Sequence, residues 1–247
     1  MCTVVVDFAP DSAVPGLLAG VRDEFAGRPW EPPGEHWPGR PGVLGGLDLR
    51  AGGTWLAVDP ARDRAAALLN GRGLLAVVET RRSRGDLPLL AVEQDGMPDV
   101  DPTAYDPFHL VVANPTGVRL WHWDGERLSA DDLPPGTHVI VNSGWERGED
   151  NRRVAHFRPR FAAARRPGRP DASDPAEYWD EWLGPASGDG LDPGDPRALV
   201  VRERLPGGQV WGTSSITLLG LAPGAVRYDF SDRPGDPEGF RRVLPKP

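Results

Sequence analysis

The sequence predicts a β-rich α+β domain whose sheets are covered by helices, and three observations predict it. Short β-branched or apolar runs recur through the first half, two later stretches carry helix signals, and further apolar runs return near the end. A chain of 247 residues suits one large core, since single cores commonly stop growing at about 250–300 residues. One domain over residues 1–247 is therefore expected.

The opening run Cys2-Thr3-Val4-Val5-Val6-Asp7-Phe8 is short and β-branched, as a buried strand is. Pro10, Pro15 and Gly16 interrupt it, and Leu17 to Phe25 returns as a second strand. Arg28 to Gly42 reads as a Pro/Gly-rich excursion whose Trp30, His36 and Trp37 cover an edge of the core. Gly45-Gly46 and Gly52-Gly53 read as turns. Strands are expected at Thr54 to Val58, Ala65 to Leu69 and Leu74 to Glu79, the last two joined as a hairpin by Asn70-Gly71.

Leu87 to Gln94 reads as a short helix with Pro88 in its first turn. Phe108 to Ala113 and Val118 to Trp123 form an expected hairpin around Asn114-Pro115-Thr116-Gly117, and Thr137 to Val141 is another strand. Val154, Phe157 and Phe161 fall at helical spacing within Arg152 to Arg166, with Pro159 bending the helix. Asp174-Pro175 starts a further helix as cap and first helical residue. Gly184 to Pro196 reads as a flexible connection, and Gln209 to Leu219 and Ala225 to Phe230 close the domain as strands.

Composition narrows the function classes. No run of about 18 apolar residues and no basic, apolar N-terminus occurs, so neither a membrane span nor a secretory signal is expected, and the chain reads as soluble and cytoplasmic. The net charge of -8 argues against a general nucleic-acid binder. Cys2 is the only cysteine, which removes internal disulfides and multi-cysteine metal sites. Lys246 is the only lysine, and with 31 Gly and 28 Pro this marks GC-rich coding bias, so Arg81, Arg82 and Arg84 read as a solvated turn.

A set of short segments goes further. Met1-Cys2-Thr3, Val21-Arg22-Asp23-Glu24, Arg28-Pro29, Gly45-Gly46 with Asp48, Gly52-Gly53-Thr54-Trp55, Leu69-Asn70, Ser83-Arg84-Gly85 and Gly212-Thr213-Ser214-Ser215 follow one another in that order. Together they resemble the NRDE family, named for an Asn-Arg-Asp-Glu motif and including the transport and Golgi organisation protein. Val21 stands where the family has its Asn, and the arginine that relatives carry beside Ser214 is absent. The resemblance implies a four-layer αββα sandwich like that of the cysteine N-terminal-nucleophile hydrolases, the group containing penicillin V acylase and bile-salt hydrolase. It also links relatives to haem trafficking and to acyl-metabolite homeostasis.

Cys2 has a chemical argument of its own. Removal of Met1 would put an α-amine of pKa near 8 on the residue that carries a thiol of pKa about 8.5, so base and nucleophile need no separate meeting. Arg22 beside the sulfur would favour the thiolate and lower the thiol pKa, and Asp23 would hold the amine or the backbone. Along a regular strand these two side chains face opposite sides, so both reach Cys2 only through a bend or bulge. A plain surface ion pair is the other reading of Arg22 and Asp23. Asn70 and Asn142 each follow an apolar strand, as two asparagines of the amidases do, and the resemblance implies that they bind the oxyanion or orient the amine. Turn formation is their other reading.

His36, His109, His122, His138 and His156 show no metal spacing, and His122 should point away from Trp121 and Trp123. Ser83 and Ser187 lack a serine-hydrolase context. The leading expectation is a cysteine amidohydrolase acting on a carbon–nitrogen bond of a small amide, with no cofactor required. Its rival is a non-catalytic carrier of haem or an acylated metabolite, and a third option is a strand edge that binds a partner. Substrate and oligomeric state are not legible.

Overall fold

Valine-rich Thr3–Phe8 becomes an interior strand because both of its edges find antiparallel partners. The computed structural model describes residues 2–146, 151–168 and 174–244. In its first half lie β1 (Thr3–Phe8), β2 (Gly16–Phe25), β3 (Trp30–Gly34), β4 (Leu44–Asp48), β5 (Leu56–Asp59), β6 (Arg64–Asn70), α1 (Leu87–Gln94), β7 (Phe108–Asn114) and β8 (Gly117–Trp123). There follow β9 (Leu128–Asp132), β10 (Gly136–Val141), β11 (Gly144–Glu146), α2 (Arg152–Ala163), α3 (Pro175–Trp179), α4 (Leu183–Ala186), β12 (Arg202–Arg204), β13 (Val210–Ala222), β14 (Ala225–Ser231) and β15 (Arg241–Leu244).

Two antiparallel sheets result. One runs β11-β10-β1-β2-β13-β14-β15 with β12 on the flank of β13, and the other is the meander β3-β4-β5-β6-β7-β8-β9. Alternation along the strands builds three apolar layers. Val4, Leu18, Leu56, Val111 and Ile140 meet between the sheets. Val5, Leu17 and Leu218 face Phe157 and Phe161 of α2 and Trp182 on the outer side of the first sheet. Leu87, Leu89 and Val92 of α1 cover Ala66, Leu110 and Trp121 of the second sheet. This α+β arrangement is compatible with the expected sandwich. Among the described residues no helix is long and apolar enough to cross a membrane.

The helix expectations hold where a cap and a periodic face coincide. Asn151 Oδ1 accepts from the backbone N–H groups of Arg153 and Val154 to start α2, and Asp174 does the same for α3 through Ala176. Phe157 and Phe161 are fully buried, each contributing about 1.5–3 kcal/mol of transfer free energy.

Four expectations are corrected. Leu74 to Glu79 is not a strand, because Asn70-Gly71 makes no hairpin: β6 pairs with β7 in register Asn70 to Phe108, and Gly71 N–H bonds the Pro107 carbonyl. Strand propensity without a partner leaves Leu74, Leu75, Val77 and Val78 exposed. The excursion Arg28 to Gly42 contains β3. Gly45 and Gly46 lie inside β4 rather than in a turn, since a Cβ on Gly46 would come within 2.3 Å of the Trp55 ring. Gly184 to Pro196 begins within buried α4, so its start is packed.

Candidate active site

The register that fixes β1 also assembles the site. Thr3 stands opposite Val21 of β2 and Val141 of β10. One residue further toward the chain start, Cys2 is level with Arg22 on one side and Asn142 on the other. Cys2 is half-buried and packs against the layer between the sheets, and its Sγ lies 3.7 Å from the Asp23 carbonyl oxygen. It opens into a cleft of about 190 Å³ that Arg22, Asp23 and Asn70 also line. Four of the five sequence-derived residues thus meet, whereas Asn142 is not among the residues that line the cleft. Met1 lies outside the described residues.

Arg22 and Asp23 do face opposite sides of β2. Arg22 turns toward the second sheet, its guanidinium carbon 4.2 Å from the centre of the Trp55 ring, in cation–π range. Asp23 turns toward the helices, where Thr213 Oγ1 donates to its Oδ1 at 2.7 Å and Arg153 stands 3.7 Å from its Oδ2. Arg153 Nη1 also donates to Thr3 Oγ1 at 2.9 Å. A bulge does occur, but on the partner strand: Thr213 pairs with Asp23 and Ser215 with Arg22, leaving Ser214 between them. Its Oγ accepts from Arg22 Nη1 at 2.8 Å and donates to the Arg22 carbonyl at 3.1 Å.

The rest of the rim is a ring of charge. Arg28 Nε bonds Asp48 Oδ2 at 2.7 Å and stands 3.7 Å from Glu24, which is 3.9 Å from Arg22. Arg84 lines the cleft as well, so it is not part of a solvated turn; Arg81 and Arg82 are exposed and pair with Asp106 and Asp86. The cause is a glycine contact. A Cβ on Gly53 would sit 2.4 Å from the Gly85 carbonyl, and the bare backbones let Thr54 N–H bond Gly85 O at 2.8 Å, which draws residues 83–85 onto the cleft.

Electrostatics around the Cys2 side chain, with Met1 still attached, run against one expectation. Burial pushes the Cys2 thiol up from its ordinary value, the Asp23 charge adds to this, and Arg22 pulls only weakly the other way. Burial likewise raises the Asp23 carboxyl against the bonds from Thr213 and Arg153. A resting thiolate is therefore not what this environment favours.

Asn142 connects to a histidine pair instead. Its carbonyl meets His109 Nε2 at 3.2 Å, while its Oδ1 is buried with no hydrogen-bond partner among the described residues. His109 and His122 stack with ring centres 4.5 Å apart and share a 2.8 Å contact between their Nδ1 atoms. As expected, His122 points away from Trp121 and Trp123, which pack under α1. Burial, with His122 second, lowers His109 to about 4, so it is neutral near pH 7. Among the described residues no group of three or more His, Cys, Asp or Glu side chains is placed to hold a metal ion.

Arg153, Glu24, Arg84 and the roles of Thr213 and Ser214 were missed as site groups by sequence reasoning. For Glu24, Arg84, Thr213 and Ser214 the signal was present, since each lies in one of the ordered segments. Those segments, scattered from Cys2 to Gly85, converge on one cleft through Arg28, Asp48, Thr54, Trp55, Asn70 and Ser83. No curated protein matches the chain. The family model described as Transport and Golgi organisation 2 matches residues 1–177, which hold every cleft segment named above except the Thr213–Ser214 bulge. The chain therefore belongs to the Transport and Golgi organisation 2 family.

Proposed function

We propose that the protein is a cysteine amidohydrolase of the N-terminal-nucleophile type, cleaving a carbon–nitrogen bond of a small amide in the Cys2 cleft. The observation that carries this is the convergence of distant segments on the one thiol in the chain. The finer fold assignment, a four-layer αββα sandwich of the N-terminal-nucleophile type, belongs to the same proposal. A single unprotected thiol suits a reducing compartment, so the cytoplasm is proposed as its location.

With Met1 gone, the Cys2 amine takes the thiol proton as sulfur attacks the amide carbon. The carbon–nitrogen bond then breaks, the ammonium returns its proton to the departing amine, and water cleaves the thioester. The raised thiol supports a working role for this amine as general base during attack. Arg22 supplies positive charge beside the sulfur, Ser214 fixes Arg22, the Asp23 carbonyl meets the thiol, and the Asp23 carboxylate, braced by Thr213, is the candidate anchor for the new terminal amine. Asn70, at the cleft edge, is the candidate donor to the oxyanion, a role typically worth about 2.7–4 kcal/mol. Asn142 positions the β10 end from behind.

The test joins two measurements. Intact mass should show a chain beginning at Cys2, and amine release from a panel of small amides should vanish in Cys2→Ala. Quantitative retention of Met1, or turnover that survives Cys2→Ala, overturns the proposal.

One observation favours the carrier reading. Leu74, Leu75, Val77 and Val78 are 62–71% exposed in the loop whose ends, Asn70 and Arg84, line the cleft, and such an apolar segment suits an acyl chain. Haem fits the cleft itself poorly: its walls are charged and no histidine is among the described residues that line it. His138 lies in another cleft with Trp145 and Arg158, its Nε2 2.7 Å from the Pro134 carbonyl. A saturable Soret shift with haemin, lost on replacing Cys2 or one histidine, would favour haem carriage over hydrolysis.

A further inference from the structure

The cleft charges fall into neutral groups with one cation left over. Arg22 and Arg28 are matched by Glu24 and Asp48, and Asp23 by Arg153. Asp106, which acts on Arg84 electrostatically, is itself bonded by Arg81 Nη1 at 3.2 Å. Arg84 has no carboxylate within salt-bridge distance among the described residues. Its Nη1 donates to the Pro107 carbonyl at 2.6 Å, which anchors the side chain without neutralising it. The backbone contact between Gly53 and Gly85 then holds this half-buried guanidinium at the wall of the space into which the Cys2 sulfur opens.

We infer that the Cys2 cleft takes a small amide that bears a carboxylate a few bonds from the scissile carbonyl, and that Arg84 is the residue that selects for that carboxylate. A planar guanidinium meets a carboxylate through paired N–H donors, and a single surplus positive charge matches a single negative one. A cleft of about 190 Å³ is below the roughly 300–1,000 Å³ of sites for drug-sized ligands, so anion and reacting carbonyl must lie close together. The inference rests on the amidohydrolase reading for the identity of the carbonyl, though not for the recognition of the anion.

Binding is measured by calorimetry on full-length Cys2→Ser, in which the thiol nucleophile is absent. The probes are N-acetylglycine and succinamate, which carry the carboxylate on the amine side and the acyl side, each with its methyl ester. At least one acid should bind tenfold or more tightly than its ester. Arg84→Gln in the same background should abolish the preference, and Arg84→Lys should keep part of it, with thermal melts confirming that both variants fold. Equal binding of acid and ester, a preference that survives Arg84→Gln, or no saturable binding by any probe overturns the inference. Inorganic phosphate competing as well as the acid also overturns it, because the site would then be a general anion site. If acid selectivity holds while wild type releases no amine, hydrolysis fails and the recognition site stands.

Discussion

Two buried arginine–aspartate clusters sit on the same sheet, and they differ in what they enclose. In β14, Arg227 and Asp229 are fully buried, joined through two hydrogen bonds, with Trp179 Nε1 donating to Asp229 Oδ2 at 2.7 Å and Tyr178 lying 4.6 Å under the guanidinium. In β2, Arg22 and Asp23 are almost as buried, yet they border a cleft, a thiol and a strand bulge. Burial raises both aspartates, so a shifted carboxyl alone does not mark a site. The open space beside the shifted group separates the two.

The comparison breaks first on stability. Asp229→Ala leaves Arg227 charged in a closed interior, for which a loss of about 3–5 kcal/mol is expected. Urea denaturation reads this as a lower midpoint, and the alkylation profile of Cys2 in the folded fraction should stay unchanged. A loss below about 1 kcal/mol, the usual worth of an exposed pair, would show that the β14 cluster is not closed.

A smaller effect separates the sites by pH. His109 holds a native pKa of about 4 against an ordinary 6.5, so the folded protein binds that proton less readily than the unfolded chain. The stabilisation is fully present above pH 6.5 and is lost as pH falls toward 4. By pH 5 this group should cost about 2 kcal/mol relative to pH 7. His109→Gln should flatten that part of the slope, measured as the difference from wild type in denaturant midpoints at the two pH values. An unchanged slope would mean that His122 or the Asn142 carbonyl accommodates the charge.

The legible part of the molecule was the part governed by local pattern. β1, β2, β7, β8, β10, β13 and β14 were readable because apolar runs ended at turn residues, and α2 and α3 because caps preceded them. β3 was hidden by Pro32 and Pro33, and β4 by Gly45 and Gly46, residues that a strand tolerates only where a register shift or a packed tryptophan asks for them. Leu74 to Val78 failed in the other direction, because propensity cannot report whether an edge is vacant. Within the site, Cys2, Arg22 and Asp23 were legible from chemistry and alternation. Arg84 was marked only by its place in the segment Ser83-Arg84-Gly85, since what turns it inward is a contact between two glycines some thirty residues apart.

The finest test concerns the thiol itself. Arg22 is the positive group level with Cys2, held by Ser214 and Trp55, and it opposes the upward push of burial and Asp23. Arg22→Ala should therefore raise the thiol further, through loss of a nearby opposite charge. Near neutral pH that means less thiolate, partly offset by the greater nucleophilicity of a more basic sulfur, for a modest net slowing of alkylation. Arg22→Lys should restore part of the rate, because the charge returns while the planar bond to Ser214 does not. Iodoacetamide rates across pH 6–10 on folded protein measure all three. An Arg22→Ala profile that overlays wild type would remove Arg22 from the site, and the electrostatic role beside the sulfur would pass to Arg84 or Arg153, which also act on Cys2.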